Sequence, residues 1–252
     1  MSTKDEILKY RKYRKRRRAK IVLTVFVSTV LAAGIVVTLF FAPFFAAAEI
    51  YVTGNERVQE NYIIARSGIR LGDNIFRISA QRMVLSISEI PYIREANIRR
   101  IFPNRMRIWV SENQPKANVA IGELFAIIDE RGNVLEIQQD PYSIPIIRGL
   151  NVDGQSPGER ITAHNAANLE IGINLLNEII AGELSDSIIS IDVTNLTRIT
   201  MNFENRINIT VDSGYELAYR MMFMRNILDT ILPHEQGTLD MSLEHPYFQR
   251  TN

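Results

Sequence analysis

Cysteine is absent from all 252 residues, which excludes a disulfide framework, a thiolate zinc site, an iron–sulfur cluster and a cysteine nucleophile together. Histidine is scarce: His164, His234 and His245 are scattered, and His234-Glu235 lacks the second histidine of a zinc protease, so all three read as ordinary surface residues. Lysine nearly disappears after residue 20, leaving Lys116 alone, which argues against a Ser–Lys catalytic pair. The phosphate-binding glycine loops, G-x-S-x-G and H-E-x-x-H are also missing. Asp129, Glu130, Asp186 and Asp192 fall in turns or at strand ends, where carboxylates serve local turn hydrogen bonds rather than a glycosidase pair. No catalytic, metal or cofactor set emerges. A signal-anchored exported hydrolase is the rival reading, and it needs a pocket of converging polar residues that the sequence does not display.

Charge is present but unevenly placed. Residues 1–20 carry ten Lys or Arg against Asp5 and Glu6, and the remainder of the chain is net negative by seven charges. A folded part that is net acidic is poorly suited to tracking phosphates, so nucleic acid is not an expected partner. The basic run has its explanation next door. From Ile21 to Ala48 there are 28 residues without a charge, about 42 Å as a helix and more than the ~30 Å of a bilayer core. That run is too long for the apolar core of a cleaved signal peptide, so a retained signal anchor is expected. Basic residues on one flank and Glu49 on the other place residues 1–20 in the cytoplasm and the rest outside. Thr24, Ser28, Thr29 and Thr38 are tolerable in such a helix if their hydroxyls bond back to carbonyls one turn earlier.

Beyond the apolar run the periodicities describe two small α+β units. The first reads as strand Glu49 to Val52, a turn at Thr53-Gly54-Asn55, and a helix ending near Gly68 with Val58, Tyr62 and Ala65 on one face. A second helix follows, capped by Ser79, with Met83, Val84 and Ile87 aligned and Pro91 as its stop. Strand-like runs Ile93 to Ile101 and Met106 to Glu112 close the unit, and in the second Met106, Ile108 and Val110 alternate with Arg105, Arg107 and Trp109. The second unit opens with a hairpin, Leu124 to Ile128 and Val134 to Ile137, around Glu130-Arg131-Gly132-Asn133. A helix from about His164 to Ile180 comes next, then three cleanly alternating strands through Ile189 to Val193, Ile199 to Phe203 and Ile207 to Val211. A last helix, about Tyr215 to Leu232, presents Leu217, Met221, Met224 and Leu228, and Thr238 to Leu243 reads as a short final strand.

The order strand, helix, helix, strand, strand directly after a signal anchor resembles the FtsQ/DivIB family of bacterial cell-division proteins, whose first exported unit is a POTRA domain. The residues that carry the resemblance are Ile50 to Asn55, Gly72-Asp73-Asn74-Ile75-Phe76, Pro91 to Ala96, Phe102-Pro103-Asn104, Ile127 to Val134, Ile144 to Gly149 and Gly237 to Met241. The ending Leu239-Asp240-Met241 looks more like the DivIB branch of Gram-positive bacteria. The resemblance implies a cytoplasmic tail (1–20), a transmembrane helix (21–48), a POTRA domain (49–117) and a C-terminal α+β domain on a largely antiparallel sheet (118–252). It further implies a single-pass scaffold at the division septum that binds FtsL-type and FtsB/DivIC-type bitopic proteins and acts indirectly on septal peptidoglycan synthases, with no turnover, cofactor or small-molecule substrate. The partner contact carries over to the final strand, Thr238, Leu239, Asp240, Met241, Ser242 and Leu243, by β-augmentation at a free sheet edge. On that reading Met241→Pro removes a donor the partner needs if that donor faces the partner.

Overall fold

The computed structural model describes residues 20–38, 43–152, 154–213, 217–242 and 245–251. Nearly all of the basic tail, the start expected for the last helix at Tyr215, and Leu243 lie outside the described residues. The apolar run divides in two. Helix α1, Lys20–Thr38, has 19 residues, about 28 Å, and is long and apolar enough to cross a bilayer. Its hydroxyls behave as the sequence requires. Thr24 donates to the Lys20 carbonyl, Ser28 and Thr29 to that of Val25, and Thr38 to that of Gly34, at 2.8–2.9 Å, so none is left unsatisfied in lipid.

Residues 43–48 depart from the expected span of 21–48, because they are folded into the following unit. A 3-10 turn at Pro43–Phe45 leads to an antiparallel bridge between Ala46 and Asn74. The Ala47 amide donates to the Asp73 carbonyl and the Ala48 amide to that of Asn104, both at 2.8 Å, and Ala47 is buried. Uncharged residues thus continue past the membrane helix because a protein core wants them as much as a bilayer does.

Contact density separates two compact units. The first takes the described residues up to Thr53 together with Gln59–Ser86 and Asn97–Trp109; the second takes Gly54–Val58, Ile87–Ala96 and the chain from Val110 onward. A three-stranded sheet of β1 (Glu49–Thr53), β3 (Arg105–Glu112) and β2 (Ile93–Ile101) runs in the order β1-β3-β2, with β1 parallel to β3. Helices α2 (Glu60–Ser67) and α3 (Ala80–Ser88) fall between β1 and β2 in the chain. In β3 the alternation holds: Met106, Ile108 and Val110 are buried and Arg105 and Trp109 exposed. In α2 the buried residues are Ile63 and Ser67, while Tyr62 is exposed; the helix starts two residues after Val58, so the sequence phased its apolar face one position early. Ser79 accepts from the Arg82 amide at 3.4 Å, and Met83 and Ile87 are buried, as expected for α3.

The second unit is a nine-stranded sheet in the order β12-β11-β10-β9-β8-β7-β4-β5-β6. The hairpin is β5 (Leu124–Ile128) with β6 (Val134–Gln138), and the meander is β8 (Ile188–Asp192), β9 (Ile199–Phe203) and β10 (Ile207–Val211). Three strands come in addition to those read from the sequence: β4 (Ala117–Ile121), β7 (Ile146–Arg148) and β12 (Tyr247–Arg250). β4 and β7 lie in the middle of the sheet, and their apolar residues show too little alternation to signal a strand. β11 (Gly237–Asp240) runs parallel to β10. Helices α4 (Ala166–Ala181) and α5 (Leu217–Leu228) supply Ile173, Leu175, Leu176, Ile179, Met221, Met224 and Leu228 to the single core against this sheet.

Candidate partner-binding edge

Polar side chains that could have formed a reactive cluster are committed to holding backbone. Asp129 is buried, and its Oδ1 accepts from the amides of Arg131 and Asn133 at 2.9 and 2.8 Å while Oδ2 accepts from the Asn133 side chain. Asp192 accepts from the Thr194 amide at 2.9 Å, Glu130 pairs with Arg94 at 3.0 Å, and Asp186 is exposed. His164, His234 and His245 are all exposed. Asn118, fully buried, donates to the carbonyls of Tyr142 and Ile144 and accepts from the Tyr142 amide, pinning the approach to β7. Among the described residues no group of three His, Asp or Glu is placed to hold a metal ion.

The expected contact segment is the other candidate, and its geometry differs from the expectation of a free edge. β11 is paired on both sides. Toward β10 the register matches Asn208 with Thr238 and Thr210 with Asp240; toward β12 it matches Thr238 with Gln249 and Asp240 with Tyr247. Leu239 and Met241 are buried in the core, whereas Thr238, Asp240 and Ser242 are half-buried. The Met241 amide donates to the Thr210 carbonyl at 2.8 Å, so the donor that a Met241→Pro change removes serves the fold. Asp240 Oδ1 accepts from the Ser242 amide and hydroxyl, and Arg220 donates to both Asp212 and the Met241 carbonyl, fixing the exit from the strand.

The end of the sheet belongs to β12, which the sequence reading missed. The signal was available: Tyr247-Phe248 after Pro246 is an aromatic pair of high strand propensity. No strand flanks β12 on its outer side among the described residues. The opposite end of the sheet is different, because β6 is covered: Val134 exchanges backbone hydrogen bonds with Gly158 and Glu159 at 2.8 Å, and Asn133 bridges Arg160. Alternation fixes which groups β12 offers. The Thr251 amide donates to Gln236, so the amides of Tyr247 and Gln249 turn toward β11 and those of Phe248 and Arg250 turn away from it. Tyr247, Gln249 and Arg250 are exposed, and Phe248 packs partly on the core. Arg250 is tethered by Glu235 at 2.6 Å.

Gly237 is what lets β12 lie so close. A Cβ at that position meets the Gln249 carbonyl oxygen at 2.2 Å and the Phe248 ring at 2.8 Å, well inside contact distance.

These features define a class: an α+β protein with a helix near its N-terminus long and apolar enough to cross a membrane and, among the described residues, a large sheet with one uncovered end. Residues 45–113 match the POTRA domain, FtsQ-type. The chain is 28% identical over 254 residues to the cell division protein DivIB of Clostridium botulinum (strain Loch Maree / Type A3), covering 97% of this chain and 95% of that protein. It is 29% identical to the DivIB of Clostridium acetobutylicum, over 80% of this chain and 81% of that protein. The cell division protein FtsQ of Syntrophotalea carbinolica is 32% identical over 49% of this chain and 44% of its own length. The chain is thus similar along nearly its whole length to DivIB cell-division proteins and carries an FtsQ-type POTRA domain.

Proposed function

We propose that this protein is a bitopic scaffold of the bacterial division machinery, with the basic residues 1–20 in the cytoplasm, α1 in the cell membrane and both compact units outside, gathered at the septum. Similarity to DivIB and FtsQ cell-division proteins supports a divisome role, and the charge asymmetry around the apolar run supports the orientation. The scaffold works by binding, without turnover. It holds FtsL-type and FtsB/DivIC-type single-span proteins so that septal peptidoglycan synthases are recruited and regulated.

The observation that carries this reading is the uncovered end of the nine-stranded sheet. A partner strand adds there by main-chain hydrogen bonds to the outward groups of β12, with Tyr247 and Arg250 beside it. In this proposal the segment Thr238, Leu239, Asp240, Met241, Ser242 and Leu243 contributes to the same contact region. Its buried Leu239 and Met241 hold the edge in place, and the half-buried Thr238, Asp240 and Ser242 contribute its polar flank.

Co-purification of the full chain with its bitopic partners from detergent-solubilised membranes tests this. Arg250→Pro, which deletes an outward amide, is expected to abolish capture, while Arg250→Ala, which removes the same ion pair but keeps the amide, is expected to retain it. Equal capture by both variants contradicts the placement.

A further inference from the structure

Four aromatic rings form a continuous chain at one corner of the first unit. Phe44 meets Phe45 edge-on at 5.3 Å between centroids, Phe45 meets Phe76 edge-on at 5.0 Å, and Phe76 stacks on Phe102 at 5.7 Å. The two ends of this chain face water: Phe44 is 64% exposed and Phe102 63%. Leu71, 69% exposed, sits on the turn whose residues Gly72 and Asp73 bond to Ala47. None of this is a loose tip. The Ile75 amide donates to the Phe45 carbonyl at 3.0 Å, and the Arg100 guanidinium donates to the carbonyls of Ile75 and Ile78 at 2.7 Å each, so the turn bearing Phe76 is held from two sides. A folded unit exposing three large apolar side chains on rigid backbone asks what covers them.

Chain length answers. The described part of α1 runs to Thr38, and Phe44 is six residues further along the chain, a reach of at most ~20 Å even fully extended. If α1 crosses the bilayer, the ring cluster is confined to the layer where its helix emerges. Phenylalanine and leucine side chains at that depth find acyl chain, and the exposed Arg70, on the same loop as Leu71, suits lipid phosphates. We propose that the Phe44–Phe45–Phe76–Phe102 cluster, with Leu71, seats the first unit on the outer-leaflet interface of the membrane that α1 spans. This rests on the spanning role given to α1 above. Its consequence is a second, non-covalent anchor that holds the unit at a fixed height and orientation at the membrane.

Because the chain has no cysteine, Leu71→Cys in the full protein gives a single labelling site for an environment-sensitive fluorophore. The labelled protein is placed in nanodiscs of phosphatidylethanolamine and phosphatidylglycerol, some carrying a nitroxide high on the acyl chain. The expected result is blue-shifted emission quenched by the nitroxide lipid. Quenching is expected to be lost in Phe44→Ser with Phe102→Ser, to weaken with Phe44→Ser alone, and to be restored by Phe44→Trp with Phe102→Trp. Both rings are surface-exposed, and the single change guards against a folding defect in the double one. Protein that enters the discs but is not quenched, or quenching indifferent to the serine changes, overturns the docking while leaving the span intact. Failure to enter discs overturns the span and the docking with it. Protection found only in discs drawn from cell membranes with their proteins, and not in pure lipid, assigns the face to a protein partner and overturns the lipid assignment.

Discussion

Glu112 shows how one side chain can hold a chain turn that has no strand or helix of its own. It is only 8% exposed, and its carboxylate accepts from the amides of Glu56, Arg57 and Val58 at 2.8–3.1 Å. Three amides converging on one nearly buried carboxylate satisfy its acceptor oxygens and fix the path of an exposed turn. Glu112→Ala is expected to cost about 2–3 kcal/mol, read as a lower urea midpoint with an unchanged slope. Tyr92 makes a second prediction. Its hydroxyl donates to Glu136 at 2.7 Å, and Tyr142 donates to the same carboxylate oxygen. Burial first, and the Glu136 carboxylate second, push the Tyr92 hydroxyl well above its ordinary value. The folded state therefore keeps a proton that the unfolded chain gives up near pH ~10, so this contribution is whole below that pH and is lost as pH rises above it. Tyr92→Phe is expected to flatten the fall in stability between pH 9 and 11 (approximate bounds set by that ordinary value), measured by denaturant unfolding at each pH. Neither residue was legible beforehand. Glu112 and Glu136 look like any strand carboxylate until the loops that use them are placed, whereas Asp129 and Asp192 were legible because their hydrogen bonds are local.

At the scale of elements, amphipathic strands and helices announced themselves and buried or short ones did not. The meander β8-β9-β10 and helix α4 follow directly from period-2 and period-3.6 patterns in Ile188–Val211 and Ala166–Ala181. Strands β4 and β7 did not, since β4 is largely buried and loses the alternation that marks a strand, and β7, only three residues long, is too short to show it. The apolar run could not be divided from composition alone, because bilayer and core select the same side chains. The most consequential omission is β12: it turns β11 from an edge into an interior strand. Gly237 gives the element-scale test. Gly237→Ala drives a methyl into the Gln249 carbonyl, so β12 is expected to separate from β11. Hydrogen exchange across residues 247–250 should then rise sharply while that in α4 and β8 stays slow. Unchanged protection of β12 would contradict the packing described for this edge.

For the whole molecule, the parts suit the scaffold role proposed above. One helix is long and apolar enough to cross a membrane, a POTRA domain follows it, and a broad sheet ends in a strand that, among the described residues, has a neighbour on one side only. A partner that is itself a single-span protein is confined to the same membrane, so a modest main-chain interface suffices: confinement raises the effective concentration that strand addition needs. The most direct test is crosslinking mass spectrometry on the full chain captured from native membranes, scoring both the partners and the positions joined. Small bitopic division proteins joined at Thr238 to Arg250, with the joins concentrated on Tyr247 to Arg250, are the expected result. Recovery of no division protein, or of division proteins joined only to surfaces away from this end of the sheet, would contradict it.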